Sequence, residues 1–95
     1  MKILVLNCGS SSIKYKLFDM DTRAVMVSGG VEKIGLPDSF LQIKLANGEK
    51  VKIEQAMPEH TVGIQLILNS IVDEKIGCIA SLDEVQAVGR RVVHG

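Results

Sequence analysis

Ninety-five residues carry 11 lysines and arginines against 11 aspartates and glutamates, so the formal net charge is zero, and 46% of the chain is hydrophobic. That is one domain or a piece of one, able to bury a core with little to spare. Charges of both signs are interspersed and aromatics are scarce (Tyr15, Phe18, Phe40, no Trp), which argues against a nucleic-acid module with its basic patch and stacking rings. The first apolar run is too short for a signal-peptide core and no segment approaches a membrane span, so a soluble, cytoplasmic protein without membrane or nucleic-acid partners is expected.

In chain order, Lys2–Leu6 is nearly continuous aliphatic sequence, the pattern of a strand covered on both faces. Asn7 to Lys14 then reads Asn-Cys-Gly-Ser-Ser-Ser-Ile-Lys. Glycine and three serines are poor material for a helix or strand interior and good material for a tight turn with outward amides and hydroxyls. With Lys14 just beyond, these residues describe a phosphate cradle. The Walker pattern is excluded, since it needs a longer loop, Gly-Lys-Ser/Thr and a helix directly after it, whereas here a strand follows. Ser12–Asp19 alternates, with Ile13, Tyr15 and Leu17 on one face and Lys14, Lys16 and Phe18 on the other. Ala24–Ile34 is a third strand, with a bulge or bend expected at Ser28-Gly29-Gly30. Short polar links between the three strands predict an antiparallel meander.

Leu36-Pro37-Asp38-Ser39 breaks the pattern. Leu41, Ile43 and Leu45 alternate with polar residues, as do Val51 and Ile53, around Asn47-Gly48. A two-residue loop would mix the faces. A three-residue loop, Ala46-Asn47-Gly48, sets Ile43 opposite Val51 and Leu41 opposite Ile53, with Gly48 left-handed. Pro58–Ile76 is the one helix, its apolar stripe formed by Ile64, Ile67, Leu68 and Ile71, with Pro58 in the first turn and Gly77 as the stop. Gly63 inside it costs about 1 kcal/mol relative to alanine, and His60 reads as a surface residue. Val85–His94 closes the chain as a strand interrupted at Gly89, with Arg90 and His94 on the face opposite Arg91. Cys8 and Cys78 have no metal spacing and read as reduced packing residues; the methionines read as filler. The class is α/β.

Two stretches together resemble the acetate kinase family: Ile3 to Leu17, ILVLNCGSSSIKYKL, and Val88 to Gly95, VGRRVVHG. The resemblance implies the actin-like ATPase (ribonuclease H-like) fold, two related domains that each open on a β-meander, with nucleotide and substrate between them. It also implies transfer of a phosphoryl group from ATP to a short-chain carboxylate with Mg²⁺, and a homodimeric parent. Carried onto this sequence, Arg91 matches the residue that contacts the carboxylate substrate, Lys14 the ATP-contacting lysine, and Asn7 the magnesium-associated residue. Gly9, Ser10 and Ser12 match the phosphate-side turn, with weaker support for Ser11. Arg90 stands where the family carries histidine. The sequence ends inside the second motif, and the family's catalytic aspartate, its transition-state histidine and arginine and its adenosine-binding segments have no counterpart here. Residues 1–95 are therefore expected to be an incomplete N-terminal domain, with the second domain absent, no catalytic residue assigned and no activity alone. The competing readings are a propionate kinase or other short-chain carboxylate kinase, a non-catalytic phosphate-binding module, and an interaction domain in which the serine turn is only a turn.

Overall fold

Alternation along the strands sets the architecture. A computed structural model describes residues 1–73, 79, 83 and 85–92, with 86–92 described by backbone alone. Strands β1 (Lys2–Cys8), β2 (Ile13–Asp19) and β3 (Ala24–Glu32) form the expected antiparallel meander. Strands β4 (Phe40–Leu45) and β5 (Lys50–Glu54) extend the same antiparallel sheet, so the hairpin continues the meander. After helix α1 (His60–Ile71), strand β6 (Val85–Val92) returns beside β1 and parallel to it, giving the order β5-β4-β3-β2-β1-β6. Ile13, Tyr15 and Leu17 are buried while Lys14 and Lys16 are exposed, the pattern of a strand with one face on a core. Leu41 pairs with Ile53 and Ile43 with Val51. Gly48 has φ +92° and Leu45 N–H donates to the Glu49 carbonyl at 2.8 Å, so the three-residue loop is the one adopted.

Several expectations are corrected. The register slip in β3 lies opposite Leu17 and Phe18, which pair with Val27 and Val25 and leave Met26 as the extra residue. Ser28, Gly29 and Gly30 pair without interruption with Lys16, Tyr15 and Lys14. Gly29 answers to close packing instead, because a Cβ there would be driven into the Gln42 carbonyl oxygen of β4. Glu59 is extended (φ −149°, ψ 165°) and forms the N-cap, leaving Pro58 outside the helix. Val72 has already left helical geometry, so the helix is shorter than the apolar pattern, and the proposed stop at Gly77 lies outside the described residues.

Gly63 is on the buried side of α1, where a Cβ would sit 3.2 Å from Ile13 Cδ1 and 3.4 Å from Val31 Cγ1. The missing side chain thus lets the helix approach the sheet closely, against its cost in propensity. In β1 only Leu4 and Leu6 are buried and Ile3, Val5 and Asn7 are half-buried; among the described residues, α1 covers one face of the sheet. Gly89 pairs with Val5 without a break, and the irregularity in β6 falls at its start, opposite Lys2 and Ile3. Cys8 is a free, half-buried thiol packed against the core. Met57 is fully buried, but Met20 and Met1 are exposed rather than filling anything. Cys78 and His94 lie outside the described residues.

The route from β5 into α1 is fixed by one buried hydroxyl. Ser39, 1% exposed, donates from Oγ to the Gln55 carbonyl and accepts the Met57 N–H, both at 2.7 Å. Its carbonyl accepts from Gln55 N–H at 3.2 Å, and Gly35 N–H donates to the Met57 carbonyl at 2.8 Å. Replacing Ser39 with alanine leaves the buried Met57 N–H and the part-buried Gln55 carbonyl without this partner. The expected loss is about 1–3 kcal/mol, read as a lowered urea midpoint with an unchanged m-value; an unchanged midpoint would contradict the role given to this hydroxyl.

Candidate functional site

The serine turn caps the β1–β2 hairpin. Cys8 and Ile13 form the last strand pair, and Gly9 N–H donates to the Ser12 carbonyl at 2.8 Å. The turn is also held from outside: Ile34 N–H donates to the Ser11 carbonyl at 2.9 Å, and His60 Nε2 lies 2.7 Å from the Gly9 carbonyl. Ser10 and Ser11 are exposed, while Gly9 and Ser12 are half-buried. A Cβ on Gly9 would come within 2.9 Å of Ser12 Oγ. The space beside Gly9 is thus held by a hydroxyl of the turn itself.

Asn7 is the register partner of Lys14 on one side and of Arg91 on the other. Residues 14, 7 and 91 therefore stand side by side across β2, β1 and β6, with neighbouring strands about 4.8 Å apart. Of Arg91 the described part is the backbone; Arg90 is opposite Leu6. The side chains of Asn7 and Lys14 face a groove of about 600 Å³ on the sheet face away from α1, shared with Lys16, Glu32, Gln42 and Lys44. Lys14 Nζ forms an ion pair with Glu32, at side-chain exposures of 63% and 34%, so the pair is solvated and weak. Beyond the turn, Lys33 bonds Asp38 at 2.8 Å. That hydrogen bond holds the Asp38 carboxyl below its ordinary value, so its small contribution is present at neutral pH and lost as pH falls through the lowered pKa.

Glu32 and His60 were not among the residues expected at the site. Glu32 was readable from register: Lys14 pairs with Gly30, and position 32 is its diagonal neighbour on the same face. His60 had no local signal. It arrives at the turn because the Ser39–Met57 contacts fix where α1 begins. Among the described residues no group of three His, Cys, Asp or Glu is placed to hold a metal ion. Asn7 offers one neutral side-chain oxygen, which fits a hydrated hard cation held partly by phosphate and does not fit an all-protein cage.

A family model described as the Acetokinase family matches residues 2–95. An acetate kinase of Bacteroides fragilis is 63% identical over all 95 residues, which make up 24% of its own length. The crystal structure of Porphyromonas gingivalis acetate kinase superposes with a TM-score of 0.92 at 57% identity, over 99% of this chain and 24% of that one. A propionate kinase of Francisella tularensis gives a TM-score of 0.79 at 31% identity, over 99% of this chain and 23% of that one. The chain thus spans about a quarter of the length of the relatives it matches.

Gly9→Ala tests the packing of the turn. The added methyl meets the end of a short side chain, so Ser12 is expected to change rotamer while the strands hold. The loss of stability is then under about 1.5 kcal/mol, and the Ser12 Hα–Hβ couplings change. Unfolding of the β1–β2 hairpin, or unaltered couplings, would contradict this.

Proposed function

The chain belongs to the acetokinase family, and from that premise we propose that it is the N-terminal part of an acetate kinase, which transfers a phosphoryl group reversibly from ATP to acetate to give acetyl phosphate and ADP. The observation that carries the reading is the register row of Lys14, Asn7 and Arg91 beside the serine turn. In this reading a phosphate-seeking lysine and a carboxylate-seeking arginine hold the register positions on either side of one polar residue. The identities favour acetate over propionate, 57% to the acetate kinase structure against 31% to the propionate kinase.

In the reaction a carboxylate oxygen bonds to the γ-phosphorus as the bond from phosphorus to the ADP oxygen breaks. Both reactants are anions, so catalysis is mostly alignment and charge stabilisation. Arg91 binds the carboxylate through two parallel N–H donors, which a lysine cannot supply. Lys14 exchanges Glu32 for a phosphate oxygen, a cheap exchange because the exposed pair holds it weakly. Gly9, Ser10 and Ser12 line the phosphate side, and Asn7 would hold a hydrated Mg²⁺. When bound, the magnesium ion neutralises charge on the nucleotide phosphates. The wider architecture proposed is the two-domain actin-like (ribonuclease H-like) fold, with residues 1–95 as an incomplete first domain, in a cytoplasmic homodimer.

Two measurements test this. In the full-length enzyme Arg91→Ala is expected to lower kcat/KM for acetate by about 10²–10³, and near-normal activity would remove Arg91 from the site. The 95-residue chain alone is expected to form no acetyl phosphate, since it carries one wall of the cleft; turnover by the purified chain would overturn that division.

A further inference from the structure

We infer that His60 is a positioning residue for the phosphate turn, acting through its hydrogen bond to the Gly9 carbonyl. The inference rests on the acetate kinase reading for its kinetic consequence and on geometry for the contact. Gly9 is tied at both ends: its N–H goes to the Ser12 carbonyl at 2.8 Å, and its carbonyl meets His60 Nε2 at 2.7 Å across 51 residues of sequence. A further tie from outside the turn, Ile34 N–H to the Ser11 carbonyl, is backbone to backbone. His60 is thus a side chain of α1 that fixes where the turn stands relative to the helix.

A carbonyl oxygen only accepts, so Nε2 must carry the proton. Protonating Nδ1 leaves that donor in place, and the contact persists in both the neutral Nε2–H tautomer and the imidazolium. His60 is the first residue of the helix and half-buried. The helix itself is anchored by Ser39 through Met57 and packed on Ile13 and Val31 at Gly63. The imidazole therefore transmits the position of a rigid element to Gly9. It touches neither Lys14 nor the register row in any described contact, and its effect belongs to the nucleotide side alone.

The test uses the full-length enzyme. His60→Ala is compatible with a helix start and leaves the Gly9 carbonyl without this donor. It is expected to raise KM for MgATP about tenfold with KM for acetate within about twofold. His60→Gln, which offers an N–H donor at similar reach, is expected to recover most of that loss. Equal losses in the two variants, an unchanged KM for MgATP in His60→Ala, or a parallel rise in both KM values would overturn the inference, the last pointing to a general structural role. A readout independent of activity is the tautomer. Long-range ¹H–¹⁵N spectra of histidine-labelled protein at alkaline pH should show His60 protonated on Nε2, and protonation on Nδ1 would overturn the contact. If the wild type transfers no phosphoryl group to acetate or propionate, the acetate kinase reading falls and the tautomer result alone decides His60.

Discussion

One buried hydroxyl, that of Ser39, carries more of this structure than its size indicates. It spends both its donor and an acceptor on the backbone of residues 55–57, binding the loop after β3 to the segment that starts α1. The same loop sends Ile34 N–H to the Ser11 carbonyl, and Gly35 N–H to the Met57 carbonyl. The turn after β1, the loop after β3 and the entry to the helix are therefore one hydrogen-bonded junction. Breaking a member of that junction costs most at the buried Met57 N–H, where water does not replace the lost partner. The placement of His60 against Gly9 follows from it.

A second constraint is the pleat. Register partners on adjacent strands are held at a spacing set by backbone hydrogen bonds, without the conformational cost of ordering long loops. Positions 14, 7 and 91 are brought side by side this way although 7 and 91 stand 84 residues apart in sequence: the parallel return of β6 beside β1 closes that separation. Sites built on sheet rows tolerate little local error, since a one-residue slip would move each group to the opposite face. The bulge at Met26 is placed where it does no such harm. It falls near the far end of β3, and pairing from Val27 through Val31 with β2 is unbroken up to the serine turn.

How much of this was legible in the sequence divides along physical lines. The faces of β2 and the hairpin loop depend on period and register, which are local, and Ile13, Tyr15, Leu17 and the Ile43–Val51 pair were readable. The helix start was misplaced because proline at the first turn is a propensity, and the Ser39 clamp instead holds residues up to Met57 outside the helix. The bulge was assigned to the glycines because glycine tolerates one. Gly29 is instead needed where β4 passes close, a constraint from a strand not adjacent in sequence at that point. His60 was read as surface for the same reason: its partner is 51 residues away. Of the residues proposed for the site, Asn7, Lys14 and Arg91 were named by resemblance, whereas the Glu32 contact to Lys14 required the β2–β3 register.

Charge shows the same difference between sequence and space. The residues of both signs are interspersed along the chain, and the net charge is zero. Strand alternation nevertheless sorts them, and the groove face gathers Lys14, Lys16, Lys44 and Lys50 around a lining whose acidic member is Glu32. Lys44 and Lys50 are direct cross-strand partners, an arrangement that costs stability. A concave face with this excess of positive charge raises the local concentration of anions by an effect that salt screens. Such a field selects for charge and not for chemistry. Distinguishing a carboxylate from a phosphate takes groups of fixed geometry. Attraction by a field and discrimination by fixed groups are separate tasks, and the sorting of charge by strand alternation accounts for the first alone.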